Sequence, residues 1–253
     1  MKKNLVGLIA VLFLIVGAAP AMATIINWSD PIDHGNKGDS LVANSVLTIS
    51  AKTGLVGAVD PLFAGTAGTV YWGNLGSLDT GSMDAWYGLG VQNAGGTDMA
   101  GNPTLPSGSK GISGEGGDAD EALIFAFANP AGVSASSVKL NLIGLNTADA
   151  SVNDIVTLYL EFAPVVNPSD KTFTFISFGS SDTYLLDFST LVGITNQTFG
   201  SFAVRATEGD FGVGSIEYAE LPSQLVSEPA TMLLLGCGLV GLVGLARRRA
   251  NKK

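Results

Sequence analysis

Along the second half of the chain apolar and polar side chains trade places at every step, the two-residue period of a half-buried β-strand. Val138-Lys-Leu-Asn-Leu-Ile-Gly-Leu145, Asp154-Ile-Val-Thr-Leu-Tyr-Leu-Glu-Phe162 and Lys171-Thr-Phe-Thr-Phe-Ile-Ser-Phe178 carry it most clearly, and in the last of these Phe173 and Phe175 share a face. Glu121-Ala-Leu-Ile-Phe-Ala-Phe-Ala128 is apolar almost throughout and reads as a buried strand. Further strands are expected at Tyr184 to Phe188, Phe199 to Thr207 and Val213 to Leu221, with turn-forming residues between them.

The first half repeats the pattern more weakly, at Leu41 to Ala51, Thr69 to Trp72 and Trp86 to Val91. From Gln92 to Gly117 the chain is rich in glycine and poor in apolar residues, so residues 92–117 are expected to form a long loop. No solenoid repeat is present. Short strands separated by turns predict an all-β domain over residues 24–221, an antiparallel β-sandwich of jelly-roll-like form.

Both ends break the pattern. Lys2 and Lys3 precede an apolar run from Leu5 to Gly17, and Ala18-Ala19-Pro20-Ala21-Met22-Ala23 follows. A basic start, a short apolar core and small residues at Ala21 and Ala23 compose a secretory signal over residues 1–23, with Thr24 the expected new N-terminus. At the other end, residues 222–253 read as a linker and a membrane tag. Ala230 to Ala246 is a run of 17 uncharged, mostly apolar residues. At about 1.5 Å per residue, one such helix just crosses a hydrocarbon core of roughly 30 Å. Arg247, Arg248 and Arg249 follow at once, opening a basic stop over 247–253 that predicts a cytoplasmic C-terminus. Pro229 suits the first turn of the helix, where its missing N–H costs nothing.

The order of these features resembles the PEP-CTERM sorting signal of Gram-negative bacteria, also described as an ice-binding-protein C-terminal motif. Glu228 and Pro229 match the last two positions of its Pro-Glu-Pro turn, with Ser227 where the first proline stands and Ala230 directly after. Met232 to Ala246 matches its helix and Arg247 to Arg249 its basic stop. The resemblance covers about the last 27 residues. It implies export through the inner membrane, recognition by an exosortase-type processing enzyme, removal of the tail, and release to the cell surface or an exopolysaccharide-rich matrix. It implies nothing about the chemistry of the β domain.

Charge sharpens the picture once it is divided by region. Of 13 basic residues, seven lie at the two ends, which leaves six against the 22 acidic residues between Asp30 and Glu228 and a formal charge of −16 for that stretch. Such a domain repels phosphate backbones, so no nucleic-acid partner is expected. Cys237, the one cysteine, lies in the C-terminal apolar run, so the domain has neither disulfide nor thiolate site. Gly236-Cys-Gly-Leu-Val-Gly241 fits the spacing of a dinucleotide fingerprint, but no acidic residue follows it; glycines in an apolar helix serve close packing instead.

Little in the middle points to catalysis. His34 is the one histidine and no G-x-S-x-G elbow accompanies it, so it reads as a loop residue, and zinc or copper chemistry is not expected. No sequence feature selects a pair of carboxylates for hydrolysis. The candidate metal segment is Gly114 to Glu121, where Glu115, Asp118, Asp120 and Glu121 offer the hard oxygens that calcium takes; otherwise no cofactor is expected. Trp28, Trp72, Trp86, Tyr71 and Tyr87 could stack on sugar rings, although aromatics of a β domain more often fill its core. The leading expectation is a non-enzymatic surface or matrix protein. A carbohydrate-binding module, calcium-assisted or not, comes second, and a secreted hydrolase third.

Overall fold

Residues that alternate in polarity place one row of side chains on each side of a strand, and fourteen strands form among the described residues. The structure is a computed structural model that describes residues 23–55, 60–76, 86–92, 112–113, 120–128, 132–145, 155–163, 171–176 and 183–220. The first six strands are β1 (Ala23–Asn27), β2 (Gly35–Asn36), β3 (Ser40–Val42), β4 (Leu47–Leu55), β5 (Thr66–Gly76) and β6 (Trp86–Gln92). Next come β7 (Ile112–Ser113), β8 (Asp120–Phe127), β9 (Lys139–Ile143) and β10 (Ile155–Ala163). The last four are β11 (Lys171–Ile176), β12 (Thr183–Asp187), β13 (Thr198–Glu208) and β14 (Asp210–Ala219).

The expected antiparallel architecture is present: all the pairings between these strands are antiparallel. They form one curled sheet in the order β11-β10-β13-β8-β4-β5-β6-β14-β9-β12, with β1 and β7 added to β14, β2 to β5 and β3 to β4. β5 joins the two wings. Thr66, Ala67 and Gly68 pair with β4, and the chain from Thr69 to Gly76 pairs with β6. Gly68 sits at the changeover. A Cβ there would lie 2.9 Å from Thr53 Cγ2, 3.2 Å from Val91 Cγ1 and 3.3 Å from the Ala51 Cβ, so the two wings leave no room for a side chain.

Both wings face one core. Leu47, Ile49, Leu123, Phe125, Leu158 and Phe202 come from the first, and Leu89, Val91, Leu140, Leu142, Val213 and Tyr218 from the second. Phe125 stacks on Phe202 with centroids 4.7 Å apart, and Phe127 meets Tyr218 of the other wing edge-on at 5.4 Å. Asn44 ties a turn to this contact. Its Nδ2 donates to the Tyr218 hydroxyl at 2.6 Å while its Oδ1 accepts from the N–H groups of Val46 and Leu47. That turn divides β3 from β4, where the pattern predicts one strand from Leu41 to Ala51. Burial, chiefly, pushes the Tyr218 phenol above its ordinary value.

The outer face of the first wing is covered in its middle. Ile124, Tyr159 and Ala203 are buried there under Leu62, from the connection between β4 and β5. Arg205, also buried, holds the start of that connection: Nη2 donates to the Leu55 carbonyl at 3.0 Å and Nη1 to the Tyr159 hydroxyl at 3.3 Å. Within the expected loop, Ile112 and Ser113 form β7 against Phe211 and Asp210, and Ile112 is fully buried. Among the described residues no helix is long and apolar enough to cross a membrane. Residues 1–22 and 221–253, which hold nearly all of the expected signal and the whole of the expected membrane tag, lie outside the described residues.

Two substitutions test this packing by chemical denaturation. Phe202→Ala opens a cavity in the aromatic cluster and is expected to cost about 3–5 kcal/mol. Gly68→Ala removes no contact yet is expected to cost about 1–3 kcal/mol, because the added methyl forces the wings apart. A neutral Gly68→Ala would mean that the changeover is not tightly packed.

Candidate functional site

The segment from Asp30 to Gly38 lies along β5 as a strap. It takes the side of β5 that β4 leaves after Gly68: Gly35 and Asn36 pair with Trp72 and Tyr71. The His34 N–H donates to the Trp72 carbonyl at 3.0 Å, Lys37 N–H to Val70 at 2.8 Å, and Val70 N–H to Gly38 at 2.9 Å. Local chemistry shapes it. The Asp33 carboxylate accepts from Gly35 N–H at 3.0 Å, and Gly35 takes a φ of +67°, where a side chain would be strained.

Charged and aromatic groups converge on Trp72. His34 Nε2 lies 2.9 Å from Asp30 Oδ2, and its ring packs on Trp72 with centroids 3.8 Å apart. Trp72 Nε1 donates to Asp30 Oδ1 at 3.3 Å and to the Trp28 carbonyl at 3.2 Å. Lys37 Nζ stands 5.4 Å from the Trp72 centroid and donates to the His34 carbonyl at 3.0 Å. Next to it, the Tyr71 hydroxyl donates to Asp33 Oδ1 at 2.5 Å, and a Cβ on Gly73 would fall on that same oxygen. His34 and Asp30 remain partly exposed, at 27% and 38% of their side-chain surface.

The hydrogen bond from His34 holds the Asp30 carboxyl below its ordinary value of 3.8; the charge of His34 and the Trp72 bond act in the same direction, and burial opposes them. Chemically, the cluster is a histidine oriented by a carboxylate on an indole face. Among the described residues, no hydroxyl or thiol hydrogen-bonds to His34.

The other candidate residues are placed as follows. Trp28 and Tyr71 are buried. Trp72 packs against the main core, whereas Trp86 packs on Tyr71, Leu75 and Ile143 in a separate cluster, and Tyr87 is half-buried. These five aromatics therefore divide between two faces instead of forming one platform. Glu115 and Asp118 lie outside the described residues, Asp120 opens β8, and the Glu121 carboxylate is buried at 1% exposure. Among the described residues no group of three or more His, Cys, Asp or Glu is arranged to hold a metal ion. Ala21, Ser227, Glu228, Pro229, Ala230 and Arg247 to Arg249 fall outside the described residues, while Ala23 is the first residue of β1. The sequence reading missed the cluster on Trp72. Its one local sign is the four-residue spacing of Asp30 and His34; the indole comes from a strand 38 residues further on. Compared with protein-family models and with curated proteins, the chain matches none.

The lowered Asp30 value has a direction in pH. The unfolded chain protonates this carboxyl near 3.8 and the folded one only below that. Its stabilisation is therefore complete above the unfolded value and is lost as pH falls through the lower folded one. Asp30→Asn is expected to remove that share of the acid sensitivity. Thermal melts between about pH 6 and about pH 2 would measure it, and identical pH slopes in both proteins would contradict it.

Proposed function

We propose that this chain is an exported, non-enzymatic surface or matrix protein whose β domain is delivered by two sorting segments. The observation that carries the reading is the fixed order at the C-terminus: the Ser227-Glu228-Pro229 turn, the apolar run Ala230 to Ala246, then Arg247, Arg248 and Arg249. The signal at residues 1–23 agrees with it in direction of export. In this reading residues 230–246 cross the inner membrane as one helix with the arginines in the cytoplasm, and an exosortase-type enzyme cuts near Pro229 and frees the domain.

The finer fold reading belongs to the same proposal. The two wings are the layers of a jelly-roll-like β-sandwich, and β5 is the strand that changes layer. A packed apolar core with a strongly acidic exterior suits a hydrated matrix, where association is controlled by charge and not by turnover.

In cells that hold the processing enzyme, mass spectrometry is expected to find a mature surface form beginning at Thr24 and ending near Ser227. Cells lacking the enzyme are expected to retain the chain in the inner membrane. Intact Arg249 in the surface-exposed form would overturn the sorting reading, and a turnover abolished by one carboxylate substitution would overturn the non-enzymatic one.

A further inference from the structure

The first strand of the domain pairs with the last. β1 runs antiparallel to β14 with Ala23 opposite Ala219, Thr24 opposite Tyr218 and Asn27 opposite Ser215. The pairing is anchored just beyond the strand. The Trp28 N–H donates to the Gly214 carbonyl at 2.8 Å, and the Ser29 hydroxyl donates to the same oxygen at 3.1 Å. Trp28 is buried, its ring 6.5 Å from that of Phe125 between centroids, and Ile26 packs on the same core. The bond between Ala23 and Thr24, where the sequence places removal of the signal, lies inside this ladder.

We propose that docking of β1 on β14 seals the signal-cleavage bond: Ala23–Thr24 can be cut before β1 docks and is withdrawn once it has. The inference rests on reading residues 1–23 as a secretory signal. Cleavage adds water across the bond, leaving a carboxylate on Ala23 and an amine on Thr24. A peptidase takes its substrate as a lone extended segment, held in a cleft through its backbone, much as a strand is added to a sheet edge. A strand already bonded into a sheet does not fit such a cleft. Hydrolysis then waits for local opening, and its rate follows the population of the open form. Opening here is more than fraying of one residue. A cleft that holds a few residues beyond the bond reaches Ile26, whose side chain would have to leave the core. β14 stands at the far end of the domain, so a chain exported from its N-terminus presents β1 long before the partner strand arrives. That interval is the window for cleavage. A chain that completes its fold first keeps its signal and stays tethered.

Purified signal peptidase, in excess over the full-length chain in detergent, tests the seal. The chain is offered either folded beforehand or diluted from urea directly into the enzyme, and mass spectrometry follows release of the fragment beginning at Thr24. The folded chain is expected to be cut at least about tenfold more slowly than the denatured one. A second chain carries Gly-Ser-Gly-Ser inserted between Ala23 and Thr24. The insertion moves the scissile bond out of the ladder and leaves the pairing from Thr24 to Asn27 and every core residue in place. Folded beforehand, this variant is expected to be cut as fast as the denatured wild type. Equal rates for folded and denatured wild type would overturn the seal and leave the signal reading standing, as would a folded insertion variant no faster than folded wild type. Failure of the enzyme to cut the denatured chain at Ala23–Thr24 would overturn the signal reading, and the seal with it.

Discussion

Gly68 is where the curled sheet is possible at all. One strand has to serve two wings, which requires β4 and β6 to approach the same point of β5 from opposite sides. With Thr53, Val91 and Ala51 all within 3.3 Å of where a Cβ would stand, any side chain would hold them apart. Because the chain is bare there, Thr66 to Gly68 can bond to β4 and Thr69 to Gly76 to β6. The aromatic cluster follows from this bend. Phe127 on β8 and Tyr218 on β14 belong to different wings and touch only because the sheet folds back on itself. The strap is a further result, since it fills the length of β5 that the bend uncovers.

The two outer faces are handled differently. On the first wing an apolar patch of Ile124, Tyr159 and Ala203 is roofed by Leu62, with Arg205 anchoring the roof at Leu55. A buried guanidinium is costly to desolvate, and here hydrogen bonds to a carbonyl and a phenol meet part of that cost. On the second wing a row of polar partners runs across the strands. Glu217 stands opposite Lys139, which stands opposite Asp187, and the first two form an ion pair of 3.2 Å. Ile25 and Leu185 are exposed on this wing, but Ile25 stands opposite Glu217 and Leu185 opposite Asn141 in the next row, so they make no joint apolar surface.

The strands most legible in the sequence are those long enough to repeat the two-residue period several times. β10, β11 and β13 match the expected segments to within two residues at either end, and Phe173 and Phe175 pack together against the core. β1, β2 and β7 were not legible, because so few residues hold little periodicity and owe their extension to a neighbour found far along the chain, while β3 was read as one strand with β4. The site was half legible for the same reason. Asp30 and His34 signal each other locally, but nothing in the sequence says that β2 pairs with β5 and so brings Trp72 beneath them. Glu121 carried two expectations, the start of a buried strand and a calcium ligand, and its side chain is buried.

β1 lies antiparallel to the end of β14, with Thr24 opposite Tyr218 and Ala23 opposite Ala219. β14 is bonded on its other side to β9 from Gly212 to Glu217, with β7 and β6 at its beginning. This settles how the domain carries load. A force directed along the axis of β14 meets these ladders in shear. Ladder bonds lie across that direction, so those on both flanks bear the force together instead of parting one at a time. Drawn along its own length, β14 would part from β1 and β9 only as both ladders broke.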